Sequence, residues 1–224
     1  MKIAKLKNPR IAYLVGVFQT DGYYYIIKTK DGKVFHKFCI TGRYKSQPMV
    51  EECARIYNEE FCRNVSIYRK NGYFIFKASI NTLLKVFKKL QILPKKLAVP
   101  SWILDNDECF GAYLAGLIDG DGNVCIKRKL YPQCRVRIIN GDLNGLIKLS
   151  SVIEKKLKCS TTIRKKVRIT SINGKAVIGK AYDLDFYVSK KNLDYFKIYV
   201  LPFIKIKHKR KVINHFCKFR YKLT

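Results

Sequence analysis

Two nine-residue stretches constrain this chain more than anything else in it. Residues 14–22 read LVGVFQTDG and residues 114–122 read LAGLIDGDG. Each is an apolar run with glycine at its third position and Asp-Gly at its end. The terminal acids, Asp21 and Asp121, stand 100 residues apart. No local motif has that spacing. It implies one structural unit built twice, and 224 residues give room for two units of roughly 100.

The surroundings of the motifs repeat as well. Each run has the spacing of a short helix, closed by a glycine, Gly22 or Gly122, suited to the left-handed position past a helix end. The period then changes to two. YYYIIKTKDGKVFHKFCIT reads as strand, Asp-Gly turn, strand, and NVCIKRKLYPQCRVRII reads the same way with Tyr-Pro-Gln at the turn. A helix follows each hairpin, SQPMVEECARIYNEEF or GDLNGLIKLSSVIEKKL. Next comes a second hairpin, with Asn-Gly at its turn in one copy and a longer loop at SINGK in the other. Helices INTLLKVFKKL and SKKNLDYFKIYVL close the units. The expected fold is therefore α+β, with two pseudo-symmetric αββαββα repeats that each carry a four-stranded antiparallel sheet. The first repeat is placed at 1–97, a linker at 98–110, and the second repeat, with a basic C-terminal helix, at 111–224.

Charge narrows the function. There are 46 Lys and Arg against 16 Asp and Glu, a formal net of +30, divided almost evenly between the halves. Self-repulsion of that size opposes compactness, so a polyanion is the economical partner. No run of 18 apolar residues is present, so a membrane span is not expected. Eight cysteines without a CxxC pair, and only three histidines, exclude the usual zinc spacings and suit reduced thiols in an intracellular protein, in a prokaryotic cytoplasm or an organelle matrix.

Strand alternation then sorts the faces. Val124 and Ile126 oppose Cys125, Lys127 and Lys129. Val136 and Ile138 oppose Arg135 and Arg137, and Ile163 and Val167 oppose Arg164, Lys166 and Arg168. In the first half the matching face carries Tyr25, Ile27, Thr29, Lys37 and Cys39, with Arg43, Tyr68, Lys70 and Lys77 beside them. Two such sheets side by side span roughly 40 Å at about 4.8 Å per strand. That covers more than one DNA turn of about 34 Å.

The motif helices should meet each other. Gly16 and Thr20 are four residues apart, as are Gly116 and Gly120, which leaves a bare stripe where two backbones can approach. Their ends then bring Asp21 and Asp121 together. Two carboxylates beside two negative helix ends repel, and a cation relieves that. Mg²⁺, which takes oxygen ligands and keeps several waters, fits such a pair.

These residues resemble the LAGLIDADG homing endonucleases, specifically the single-chain members with two repeats. The second copy departs from the family name at Gly120; the first is looser but keeps Gly16, Asp21 and Gly22. The resemblance implies a monomer that makes Mg²⁺-dependent double-strand breaks in a long, asymmetric DNA target. It implies that Asp21 and Asp121 bind metal, with the carbonyls of Thr20 and Gly120 assisting. A solvent-polarising lysine of the family falls on Lys207 here, while Val99 holds the matching place in the first half, with Lys95 and Lys96 nearby. Where the family often has glutamine, Gly42 and Asn140 stand, and Asn140 is assigned to orient a water. The sixth motif position is Gln19 in one copy and Asp119 in the other, so two chemically unequal half-sites are expected. An intron RNA partner, as in splicing maturases of the same fold, is the alternative.

Overall fold

The computed structural model describes residues 3–92, 97–127, 132–172 and 175–221, with the backbone alone over 168–172, 175–178 and 219–221. A single turn, α1 (Ile3–Leu6), leads into the first motif helix, α2 (Pro9–Thr20). Strands β1 (Gly22–Lys28) and β2 (Val34–Arg43), helix α3 (Gln47–Phe61), strands β3 (Ile67–Lys70) and β4 (Tyr73–Ser79), and helix α4 (Leu84–Lys89) complete the first half. A turn α5 (Ser101–Leu104) precedes the second motif helix, α6 (Asp107–Asp119). Then follow β5 (Gly122–Lys127), β6 (Gln133–Asn140), α7 (Leu143–Leu157), β7 (Thr161–Ile172), β8 (Lys175–Val188), α8 (Leu193–Tyr195) and α9 (Lys207–Tyr221). The stretch read as a linker thus holds α5 and the first turn of α6.

Two four-stranded antiparallel sheets result, in the orders β1-β2-β4-β3 and β5-β6-β8-β7. The repeat seen in the motifs therefore extends to strand order. Local chemistry sets the ends of the elements. Asn8 caps α2 by accepting the Ile11 N–H at 3.0 Å, with Pro9 in the first helical position. Asn106 caps α6 in the same way through Cys109 at 2.9 Å, and Asp107 and Glu108 complement the positive helix end. Asn71 and Gly72, with φ of 50° and 77°, make the two-residue hairpin that Asn-Gly promises.

The motif helices are covered on all sides. Every residue from Ile11 to Thr20 and from Cys109 to Asp119 is buried, because both helices pack against each other and beneath the sheets. One continuous core runs through both halves. In the first it is an aromatic nest in which Phe38 meets Phe18, Tyr57, Phe76 and Phe87. All eight cysteines are free thiols. Among the described residues, no helix is long and apolar enough to cross a membrane.

Four local expectations are corrected. Gly22 and Gly122 do not take the left-handed conformation; the positive-φ glycines among the described residues are Gly32 and Gly72. Space is what requires them instead. A Cβ on Gly22 would overlap Phe18, and one on Gly122 would overlap the backbone of Ile118, because each strand turns back tightly over its helix. Secondly, strand pairing reaches into the loop expected at SINGK, whose Asn173 and Gly174 lie outside the described residues. β7 and β8 pair as far as Ile172 and Lys175. Thirdly, Val167 is 60% exposed, since that long hairpin runs out past the core. Lastly, the helix expected over SKKNLDYFKIYVL is broken into unlike turns. After α8 it widens to a π turn over Phe196–Val200 and tightens to a 3-10 turn over Leu201–Phe203.

Candidate active site and nucleic-acid interface

The site begins with the contact between α2 and α6. A Cβ on Gly16 would lie closer than 3.0 Å to the Tyr113 carbonyl oxygen, and one on Gly116 equally close to that of Tyr13. The two backbones therefore touch, as the small-residue stripe requires. One turn further on, Gly120 faces Thr20, whose hydroxyl donates within its own helix to Val17 O at 3.0 Å and Gly16 O at 3.2 Å. Asp21 caps α2, its N–H bonded to Val17 O at 2.8 Å, and Asp121 follows Gly120 at the end of α6. Both acids are half-buried.

Gln19 and Asp119 lie inside the protein. They are 1% and 0% exposed, and each is held by a tyrosine of the opposite motif helix. Tyr13 donates to Asp119 Oδ2 at 2.8 Å, and Tyr113 donates to Gln19 Oε1 at 2.7 Å. Each is also held by a segment C-terminal to the sheet of its own half. Gln19 Nε2 donates to Ala98 O at 2.9 Å, while Asp119 accepts the Lys205 N–H at 2.6 Å and the Ile206 N–H at 3.3 Å. The inequality between the halves thus lies in the scaffold that holds the acids. Burial pushes the Asp119 carboxyl above the usual range, with the Lys205 N–H and Tyr13 opposing it.

A cation that sequence reasoning missed sits here. Lys209, 8% exposed, points its ammonium at the end of α6 and donates to Ile118 O at 2.7 Å and Asp119 O at 2.8 Å, with Gly120 O at 3.4 Å. It satisfies carbonyls that a helix end leaves without partners. Burial lowers its pKa, and Asp119, Asp21 and Asp121 pull it back up. Lys209 therefore feels both motif acids. Lys207 is exposed at the start of α9, beside a cleft lined by Tyr44, Lys45, Gln47, Pro48 and Glu51. In IKIKHKRK the lysines are alike as sequence; only the turn of α9 onto β5 and β6 separates the buried one. Asn140 uses its side-chain oxygen locally, accepting the Asp142 N–H at 2.9 Å where β6 turns into α7.

The outer face of the second sheet is not simply basic. Asp183 and Asp185, on the central strand β8, share it with the predicted arginines and lysines. Arg137 lies opposite Asp185 in the β6–β8 register and binds it through Nε at 2.7 Å and Nη2 at 3.0 Å. Its Nη1 is 2.9 Å from Asp183. Arg164 reaches Asp185 at 3.1 Å, Arg135 at 3.8 Å, and Lys166 reaches Asp183 at 2.8 Å. The alternation of YDLDFYV puts both acids on this face, among the cations expected there. Burial pushes Asp185 up, but Arg137, Arg135 and Arg164 outweigh it and hold the carboxyl below its ordinary range. Cys125 accepts from Arg135 Nη2 at 3.5 Å, and Lys127 is exposed at the end of β5. Lys129 and the Arg168 side chain lie outside the described residues, as do Lys95 and Lys96.

The first sheet presents aromatic rings instead. Tyr23 and Tyr25 stack at 5.4 Å, Lys77 Nζ lies 5.1 Å over Tyr25, and Arg43 lies 5.3 Å over Tyr73 while donating to its hydroxyl at 3.0 and 3.1 Å. Lys37 is 5.4 Å over Phe35, and Tyr68 and Lys70 stand exposed on the edge strand β3. Ile27 continues the β1 face, and Thr29 closes the hairpin loop by bonding Lys33. Cys39 is 1% exposed, covered on this face, so no open thiol is offered there. Tyr23, in register with Cys39 and 46% exposed, was overlooked although it shares the alternation of Tyr25.

Two α+β repeats, joined through helices that each end in an acid beneath a sheet with a polar outer face, define a class of scaffold. No family profile and no curated protein matches the sequence. Solved structures do. A mesophilic variant of the homing endonuclease I-DmoI is 18% identical, with 86% of this chain and 95% of that one covered and a TM-score of 0.58. The LAGLIDADG meganuclease I-AabMI, bound to uncleaved DNA, is 13% identical over 96% and 91% of the two chains, with a TM-score of 0.58. The LAGLIDADG homing endonuclease I-GzeII, in complex with its DNA target, is 14% identical with a TM-score of 0.55. I-DmoI has also been solved with DNA and Mn or Ca. The fold of this chain is that of the LAGLIDADG homing endonucleases.

Proposed function

We propose that this chain is a site-specific DNA endonuclease that acts as a monomer, with Mg²⁺, to break both strands of a long, non-palindromic target. The observation that carries this reading is the backbone contact of α2 and α6, which delivers one acid from each repeat to a common place between two unlike sheets. The donors there fit the metal. They are two half-buried carboxylates and helix-end carbonyls, all hard oxygen atoms of the kind Mg²⁺, Mn²⁺ and Ca²⁺ prefer. Asp21 and Asp121 would hold the ion with the Thr20 carbonyl, and the Gly120 carbonyl would be shared with Lys209. Such an ion supplies charge stabilisation to a phosphodiester in transition and lowers the pKa of a bound water.

The protein's own residues do the rest. Tyr13, Tyr113, Ala98, Lys205 and Ile206 fix the residues two before each acid. Lys209 pins the end of α6. Lys207, open to solvent, keeps the solvent-polarising role that the resemblance implies. The sheets bind and read: cation-over-ring pairs in one half, carboxylate-braced arginines in the other. Unlike faces call for unlike half-sites, hence a target without a palindrome. RNA binding, the alternative, rests on the shared fold and the charge, and the paired acids between the sheets add no support to it.

Salt tests the electrostatic part. A saddle that neutralises about ten phosphates should give a slope of about −9 for log K against log salt. Titrating a labelled duplex of about 30 base pairs across salt concentrations measures it. A slope near zero would assign the +30 charge to some other task.

A further inference from the structure

Asp183 and Asp185 are not members of the apolar core. Their side chains are 1% exposed, yet they lie on the outer face of the second sheet, where a polyanion is to be bound. Two carboxylates there oppose binding, so their presence calls for a compensating use. The geometry supplies it. Arg137 and Arg135 are 15% and 14% exposed and are clamped low on the sheet, while Arg164 and Lys166, on the edge strand β7, are 56% and 45% exposed. Cations at the sheet's centre are therefore held rigidly, and those at its rim reach outward. Asp185 grips Arg137 with two directed hydrogen bonds from Nε and Nη2. Asp183 makes ion pairs with Arg137 and Lys166 without a well-directed hydrogen bond. The two acids thus differ in kind: one orients a guanidinium, the other supplies charge.

Of the five guanidinium N–H groups of Arg137, two bond Asp185, which leaves one on Nη2 and two on Nη1, the nitrogen beside Asp183. One N–H from each terminal nitrogen makes the fork that matches guanine O6 and N7 in the major groove. Asp183 and Asp185 together disfavour a phosphate at the same place. From this arrangement, which rests on the DNA-binding reading above, we infer that Asp185 is a specificity-determining residue. It braces Arg137 to read a guanine-containing base pair in the second half-site, while Asp183 keeps backbone phosphate on the rim with Arg164 and Lys166. Arg137 touches the base; Asp185 acts through Arg137 as a positioning residue.

The experiment begins with wild-type protein and a randomised double-stranded DNA library without added Mg²⁺, to define the preferred duplex. Binding is then measured to every single-base variant of it, for wild type, Asp185→Asn, Asp183→Asn and Arg137→Lys. Arg137→Lys keeps the charge, removes the fork and leaves both acids in place, so it stands even where an Asp185 variant melts early. The expected result is a loss of about tenfold in discrimination at the same one or two base pairs for Asp185→Asn and Arg137→Lys. Asp183→Asn should keep the base profile and steepen the salt slope by about one phosphate's worth, as Lys166 is released. An unchanged profile in both Asp185→Asn and Arg137→Lys, with only uniform shifts in affinity, overturns the inference and leaves the endonuclease reading standing. Wild-type protein that selects no duplex overturns both.

Discussion

Asp121→Asn and Asp21→Asn are each expected to abolish double-strand cutting while the duplex is still bound. The acids sit at the ends of α2 and α6, half-buried, and not on the strands whose residues would grip the DNA. Neutralising one removes a metal ligand and no phosphate contact. A loss of about 4 kcal/mol of transition-state stabilisation corresponds to roughly a thousandfold in rate. An amide has nearly the shape of a carboxylate, so folding should stay intact, and a thermal melt of either variant checks that. Supercoiled plasmid carrying the target, incubated with Mg²⁺ and each variant, distinguishes uncut, nicked and linear DNA on one gel. Linear product at the wild-type rate from either variant removes that acid from the site.

The second large effect is on stability. Gly16→Ala and Gly116→Ala each place a methyl group inside the space of a carbonyl oxygen on the opposite helix, Tyr113 O or Tyr13 O. Backbone cannot swing aside as a side chain can, so the helices must separate. That separation loosens the core on both sides and misplaces the ends that carry Asp21 and Asp121. A cost of about 3 kcal/mol or more follows from overpacking at a rigid contact. For a chain of this size it lowers Tm by roughly 10 °C. Gly141→Ala is the control. A Cβ there meets only Lys180 O at 3.8 Å, an ordinary contact, and a change within about 0.5 kcal/mol is expected. Thermal melts of the three variants decide it. Equal Tm values for Gly116→Ala and Gly141→Ala would show that the helix contact is looser than the structure has it.

What could be read in the sequence follows from what repeats. The motifs, their small-residue stripe and the hairpin turns recur at equivalent places, so periodicity alone places α2, α6 and eight strands. The acids were legible because the repeat carries them to the same helix end twice. What was missed depends on contacts between distant segments. Lys209 looks like its neighbours until α9 folds its ammonium under α6. Asp183 and Asp185 were visible in the alternation of β8, but a count of cations on neighbouring strands hid the anions paired with them. The braces on Gln19 and Asp119 join residues 79 to 106 positions apart, beyond the reach of any local pattern. Gly22 and Gly122 were expected for their backbone freedom and are needed for space, a distinction that only the packing of strand on helix reveals.

The central claim is that one chain cuts both strands of one asymmetric duplex, with one acid from each repeat. Mapping the cut ends tests it most directly. Wild-type protein is incubated with Mg²⁺ and the selected duplex, labelled on one strand or the other, at one protein per duplex, and the ends are read at single-nucleotide resolution. The account predicts one break in each strand at fixed positions within a site that is not a palindrome, with full cutting by a single chain. Duplex bound but uncut in Mg²⁺ and in Mn²⁺, or cutting that requires two chains on a palindrome, would contradict it.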